Sequence, residues 1–185
     1  MVQKQIYIVT GGPGFGKTKL IEELLSSGFK CSDEFARNLI EEQINWGGEI
    51  LPSKNARLFQ QEVLKRRVEF FESVPDNSIA FADRGIVDQL AFARYKGFGS
   101  PENLIQSANN YRYASSVFVT PPWKEIYTND LVRSESFDEA VCIHRQIIET
   151  YQDLNYTIIE LPLLPAQLRA EYILLTISKL GSNEY

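Results

Sequence analysis

The chain is short of the residues on which several large protein classes depend. It has two cysteines in 185 residues, Cys31 and Cys142. They lie far apart and form neither a metal-ligand spacing nor a disulfide framework, which points to a reducing compartment. A single histidine, His144, leaves no second imidazole for a zinc site or a Ser-His-Asp arrangement. Basic charge is also scarce: 19 Lys and Arg stand against 24 Asp and Glu, a formal net charge of −5. Neutralising a nucleic-acid backbone needs a basic face, so nucleic acid is not an expected partner. No apolar run approaches the ~20 residues that cross a bilayer, so no membrane segment is expected. Met1–Thr10 is too short for a secretory signal and leads straight into glycines, which makes the cytoplasm the expected location. Repeats, low-complexity tracts and linkers are absent, and the length suits one domain over 1–185.

What the chain does have is a regular alternation of strand and helix signals. Apolar runs predict strands at Lys4–Thr10, Phe29–Ser32, Ser78–Ala82, Ser116–Thr120 and Tyr156–Leu161. Between and after them, helical periods predict helices at Gly16–Ser26, Asp33–Trp46, Asn55–Glu72, Ile86–Tyr95, Pro101–Asn109, Ser136–Leu154 and Pro165–Lys179. Ser136 followed by Glu139 is a capping box, and Pro165 suits a first helical turn. Asp33 is a candidate N-cap for the second helix. Five strands separated by helices predict an α/β fold of three layers, a five-stranded parallel sheet covered by helices on both faces. Ligands of such sheets bind outside the carboxyl ends of the strands, so the residues after each strand carry the function.

After the first strand the chain reads Gly11-Gly12-Pro13-Gly14-Phe15-Gly16-Lys17-Thr18, which fits G-x-x-x-x-G-K-[ST] between a strand and a helix. Glycines let backbone N–H groups curl around a phosphate, and the helix that follows adds its positive end. Residues Gly12, Pro13, Gly14, Phe15, Gly16, Lys17, Thr18 and Lys19 are the candidate nucleotide-binding set. Lys17 has the reach for the β- and γ-phosphates, and Thr18 is a candidate Mg²⁺ ligand. The expected ligands are therefore ATP (or GTP) and Mg²⁺.

Asp83 closes the third strand, where an acid can hold Mg²⁺ directly or through water. Arg84 follows it and would face phosphate or substrate, with a surface ion pair as the alternative. Glu34, after the second strand, is the candidate group for orienting an acceptor hydroxyl or taking its proton; Asp33 competes for that role. Arg37 lies three residues on, where it could touch the acceptor or pair with Glu34. The polar stretch 127–137 has the composition of a lid, and Arg133 within it could meet the transferring phosphoryl group. Arg112 is a weaker candidate of the same kind. His144 falls on the apolar stripe of its helix and reads as a satisfied, partly buried histidine. Trp46 and Trp123 border the ligand edge, where either could stack on a base or simply pack.

Taken in order, Gly11–Thr18, Asp33-Glu34-Phe35-Ala36-Arg37, Phe81-Ala82-Asp83-Arg84-Gly85, Pro121-Pro122-Trp123 and Asp130–Phe137 resemble the AAA-like P-loop ATPase/kinase domain family related to nicotinamide riboside kinase. The resemblance implies a nucleoside- and nucleotide-kinase-like fold with strand order 2-3-1-4-5. It implies a nucleoside triphosphate and Mg²⁺ at Gly14, Gly16, Lys17 and Thr18, with Asp83 nearby. It also implies that Glu34 and Arg37 form an acid-x-x-Arg segment and that Arg133 is a lid arginine. Asp83-Arg84 departs from the nicotinamide riboside kinases and looks more like deoxynucleoside kinases. The expected activity is thus Mg²⁺-dependent transfer of a γ-phosphoryl group to a small, nucleoside-like hydroxyl acceptor. An NTPase or nucleotide-dependent switch without an acceptor is the alternative. The Asn/Thr-Lys-x-Asp signature of G-proteins is missing, which counts against a switch and against guanine. A mechanical AAA+ motor is disfavoured by the short chain and by the lack of an Asp-Glu pair after the third strand.

Overall fold

The computed structural model describes residues 4–128 and 135–182. Its strands are β1 (Ile6–Gly11), β2 (Lys30–Cys31), β3 (Ala80–Asp83), β4 (Ser116–Thr120) and β5 (Thr157–Glu160). Its helices are α1 (Lys17–Ser26), α2 (Phe35–Trp46), α3 (Ala56–Ser73), α4 (Ile86–Tyr95), α5 (Glu102–Asn110), α6 (Phe137–Asp153) and α7 (Ala166–Ser182), with a short 3₁₀ turn at Lys124–Ile126. The strands form one sheet in the order β2-β3-β1-β4-β5, and every pairing is parallel. This is the order and the layering that the alternation and the family resemblance imply.

The pleat divides the central strands between two cores. Val9, Phe81 and Phe118 point to one face, where they pack with Leu20, Leu24, Ile173 and Ile177 of α1 and α7. Their neighbours Ile6, Ile8, Ala80, Ala82, Val117 and Val119 point to the other, with Ile143, Ile147 and Tyr151 of α6 and residues of α3 and α4. Both faces are thus apolar, which is why β1, β3 and β4 read as continuous hydrophobic runs.

Most boundaries shift by one or two residues from the sequence reading, and three of the shifts have a clear local reason. β2 has two residues rather than four, because it is an edge strand and pairs only at Lys30 with Ala80 and at Cys31 with Phe81. β3 extends one residue further, through Asp83, because Val9 of β1 continues the ladder opposite it. α7 passes through Gly181; a single glycine near a helix end costs only about 1 kcal/mol and does not stop the helix. The α6 capping box is present, with the Ser136 N–H on Glu139 Oε2 at 2.7 Å and the Glu139 N–H on Ser136 Oγ at 3.2 Å. Among the described residues, no helix is long and apolar enough to cross a membrane.

Candidate nucleotide and acceptor site

At the carboxyl end of β1, the turn into α1 is built mostly by backbone. Gly16 is the residue before α1 and has φ 77. A Cβ there would lie 2.9 Å from Ile126 Cδ1 and 3.1 Å from the Arg169 guanidinium, so both φ and space demand glycine. Lys17 is buried, and its ammonium donates to the Gly11 carbonyl at 3.2 Å and the Gly12 carbonyl at 2.7 Å. It thereby holds the loop curled over its own side chain. No acid occupies the first turn of α1, so the positive end of that helix is uncompensated and open to an anion. Thr18 and Lys19 are exposed on this turn.

Side chains fix the loop from behind. The Gly12 N–H donates to His144 Nδ1 at 3.3 Å, and a Cβ on Gly12 would meet the Ala140 carbonyl at 2.6 Å. The Phe15 ring is fully buried, edge-on to His144 and packed beside Tyr127 and Phe137. Phe15 therefore anchors the loop, and only its backbone is available to a phosphate. Burial, followed by the positive charges of Lys17, Arg145 and Arg84, pushes the His144 imidazole down to about 4. The neutral ring is the form that can accept at Nδ1. The reading of His144 as a satisfied interior histidine holds, and its partner is the phosphate loop itself.

Arg169, in the first turn of α7, is a site residue that the sequence reading missed. It is 3% exposed, donates from Nη2 to the Gly16 carbonyl at 3.2 Å and lies over the Trp123 ring at 5.6 Å. Its Nε and Nη1 are buried without a partner, and burial lowers the affinity of the guanidinium for its proton. The signal available was its position: it follows the last strand and falls in register with the apolar residues Ile173 and Ile177.

The other side of the site lies beyond the end of β3. The Asp83 N–H donates to Ser32 Oγ at 2.9 Å, tying β3 to the segment that carries Glu34. Asp83 is 3% exposed and its Oδ1 has no hydrogen-bond partner. Burial first, then the charge of Glu34, pushes its carboxyl up to about 6, against the pull of Lys17 and Arg84. Lys17, Glu34 and Arg84 are thus close enough for their charges to act on Asp83. Glu34 is half-buried at the start of α2 and pairs with Arg37 at 3.5 Å. It occupies the cap position expected for Asp33, but its side chain makes no capping bond. Asp33 is exposed.

Arg84 has φ 65, rare for a residue with a Cβ, and its N–H donates to the Val9 carbonyl at 3.0 Å. Strained backbone of this kind concentrates at functional sites. The side chain is not in a surface pair: at 8% exposure it donates to Asp88 Oδ1 at 3.2 Å and lies over the Phe92 ring at 5.2 Å. Asp88, fully buried, also accepts from the Thr10 hydroxyl, from the Gly85 N–H at 2.7 Å and from the Tyr151 hydroxyl at 2.6 Å. It is the hub that fixes the Asp83-Arg84-Gly85 turn.

Other expectations fall elsewhere. Arg112 lies before β4, at the opposite edge of the sheet, where it donates to the Leu154 carbonyl at 2.9 Å and stacks on Tyr156. Its role is structural. Trp46 is 76% exposed at the end of α2. Arg133 and most of the expected lid, residues 129–134, lie outside the described residues. A shallow groove of about 310 Å³ runs between α2 and α3, lined by Ser32, Phe35, Arg66 and Phe70 among others, but Lys17, Asp83 and Arg84 do not line it. Among the described residues, no group of three or more His, Cys, Asp or Glu could hold a metal ion by itself. That is compatible with an ion that depends on phosphate oxygens for the rest of its shell.

The sheet order, the glycine loop with its buried lysine and the acid closing β3 define a P-loop NTPase of the nucleoside- and nucleotide-kinase-like class. The model of one AAA domain family matches residues 6–169, and the chain belongs to that family. Solved structures agree at the level of fold. A NadR protein in complex with NR superposes with a TM-score of 0.60 at 18% identity, over 86% of this chain and 44% of that one. The chain thus spans less than half of that NadR protein. Deoxyadenosine kinase from M. mycoides with bound dATP gives 0.63 at 12% identity, covering 94% of this chain and 99% of the other. Shikimate kinase from Aquifex aeolicus gives 0.55 at 15% identity, covering 95% and 97%. No curated protein matches the chain.

Proposed function

We propose that the protein is a phosphotransferase that moves the γ-phosphoryl group of ATP to the hydroxyl of a small acceptor. The observation that carries this reading is the grouping of Glu34, Asp83 and Arg84 beside Lys17. A bare NTPase needs a water and a phosphate cradle; a second, buried, side-chain-built wall is what a second substrate needs. The similarity of the fold to kinases of nucleosides and of shikimate supports the same reading.

Each residue has a role that its environment permits. The loop from Gly12 to Lys19 receives the phosphates through backbone N–H groups and the end of α1. Lys17 exchanges its two carbonyl partners for phosphate oxygens, a change of acceptor that needs no new burial. The exposed Thr18 hydroxyl and the unpartnered Asp83 Oδ1 would hold Mg²⁺, which would supply charge neutralisation at the phosphates. An ion there also favours the ionised Asp83 that burial and Glu34 otherwise oppose. Glu34 orients the acceptor hydroxyl and takes its proton, with Arg37 holding the carboxylate in place. Arg84 faces the transferring group, and Arg169 flanks the nucleotide beside Gly16. Arg133 is proposed as the lid cation.

The test is a transfer assay with ATP, Mg²⁺ and a panel of small hydroxyl compounds, read by product mass. Phosphorylated acceptor is expected. Glu34→Gln is expected to slow transfer by about 10²–10³-fold while leaving nucleotide affinity unchanged. ATP hydrolysis that no acceptor stimulates, or transfer indifferent to Glu34→Gln, overturns the kinase reading or the role of Glu34 respectively.

A further inference from the structure

A helix laid on one face of a sheet needs a single apolar stripe, with polar residues on the side away from the sheet. α7 has two stripes. Its inward face, with Ala170, Ile173 and Ile177, packs with α1 and the central strands. Its outward face carries Leu168, Tyr172 and Leu175, spaced by four and then three residues, and Leu175 is 62% exposed. Leu163 and Leu164 are exposed just before the helix, and Leu180 near its end. Half of the large apolar side chains exposed among the described residues thus fall within 163–180. A concentration of this kind marks a surface that something else covers.

The charges on the stripe indicate what covers it. Glu171 and Lys179 are both exposed, and they stand four residues to either side of Leu175. Glu171-Leu175-Lys179 is an i±4 ridge, and Leu168-Tyr172 is part of the ridge beside it. Such ridges run alongside each other when two helices cross at about −50°. In a two-fold contact, residue i of one copy faces residue j of the other, and j faces i. With the axis at Leu175 and the helices antiparallel, Glu171 faces Lys179 of the second copy, twice over. The apolar Leu168 and Tyr172 of each copy then cover the last turns of the other. The pattern is its own complement. A lipid surface calls instead for an excess of lysine and arginine beside the apolar stripe, whereas here one acid balances one lysine.

We propose that the outward face of α7 is a homodimer interface, through which two copies of this chain pair by antiparallel α7 helices about a two-fold axis at Leu175. The interface does not rest on the phosphotransferase reading. It also leaves the phosphate loop in place, since Arg169 of the same helix turns inward to the Gly16 carbonyl of its own copy. A single helix pair belongs at the low end of interface size, below about 1,200 Å², so the dimer is weak and depends on concentration.

Sedimentation velocity of the native chain in low salt, from roughly 1 μM to 1 mM, reads the association directly. A monomer–dimer equilibrium is expected. Leu175→Glu places two carboxylates at the axis and is expected to weaken the dimer by about a hundredfold or more. Phe98→Glu, at an exposed apolar residue after α4, is expected to leave it unchanged. Glu171→Lys and Lys179→Glu each turn two attractive contacts into two repulsive ones and are expected to weaken it about tenfold. The double reversal is expected to restore the native affinity to within about threefold, which two unrelated surface charges would not do. Melting of each variant at high dilution is expected to match that of the native chain, which separates lost pairing from lost folding. A native chain that is monomeric throughout the range overturns the proposal; if that monomer sediments with vesicles of phosphatidylserine and phosphatidylcholine, the stripe is a lipid surface instead. A dimer indifferent to Leu175→Glu lies elsewhere on the molecule and overturns it as well. So does a double reversal no tighter than the single ones, because the self-complementary pairing across Leu175 is then absent. None of these measurements depends on phosphoryl transfer, so their failure leaves the phosphotransferase reading intact.

Discussion

The two walls of the site are built from different materials. The nucleotide wall is backbone: a glycine turn, the end of α1 and one lysine that bonds to carbonyls of its own loop. The proposed acceptor wall is side chain: Asp83, Arg84 and Asp88, with Arg67 of α3 beside them, all at least nine-tenths buried. A backbone cradle leaves its stabilising contacts behind it, in Phe15 and His144, and keeps its front for ligand. A buried polar wall has no such division. The groups that fold the Asp83-Arg84-Gly85 turn are those proposed to face the acceptor, which would couple stability and function there.

That difference is testable in the size and kind of response to substitution. Lys17→Ala is expected to lower turnover by about 10³-fold or more, since it removes the cation at the transferring phosphate. Its urea-unfolding free energy is expected to fall by only about 1–2 kcal/mol, because its bonds to the Gly11 and Gly12 carbonyls are ones that ligand binding exchanges. A large stability loss would erase the proposed division on the nucleotide wall. Asp88→Ala should do the reverse. It strips the ion-pair partner from a buried Arg84 and orphans the Gly85 N–H and the Tyr151 hydroxyl, an expected cost of about 3–5 kcal/mol. Urea titration checks it, and a loss under about 1 kcal/mol would mean that Asp88 is not the hub.

The same difference explains what could be read from sequence. A backbone cradle imposes strict local spacing, so Gly11–Thr18 announced the nucleotide wall, its helix and its strand. Period and caps likewise predicted the sheet and its helices, with the α6 box at Ser136 and Glu139 as the clearest case. The side-chain wall is assembled from β3, α3, α4 and α6 across long separations. Asp83, Arg84 and Glu34 were visible because they follow strands. Arg67 and Tyr151 were not, because a residue on a helix face announces burial and not its partner. Arg67 did leave one sign, a charge in the register of Phe59, Val63 and Phe71. Arg169 left a similar one next to Ala170. His144 was read correctly as interior, but the bond to Gly12 depends on α6 crossing behind the loop.

The smallest expected effects are pH slopes, and they set the two walls against each other. Asp83, on the acceptor wall, has its carboxyl raised from 3.8 to about 6. Between those values the folded chain binds more protons than the unfolded one, so this contribution to stability is full below 3.8 and is lost as pH rises through about 6. His144, behind the nucleotide wall, has its imidazole lowered from 6.5 to about 4. There the unfolded chain binds more protons, so this contribution is full above 6.5 and is lost as pH falls through about 4. Each is worth on the order of 3 kcal/mol, and in the shared window the two oppose each other. Single variants separate them. Relative to the native chain, Asp83→Asn should gain stability as pH rises from about 4 to 6. His144→Asn, which keeps an acceptor for the Gly12 N–H, should gain it as pH falls over nearly the same range. Urea titrations of the ligand-free protein between pH 4 and 7.5 give both difference curves, and mirror-image slopes are expected. A flat curve for His144→Asn would show that the imidazole takes a proton freely in the folded state. The Gly12 bond would then not be holding the phosphate loop, and the nucleotide wall would lose the support that lets it keep stability apart from function.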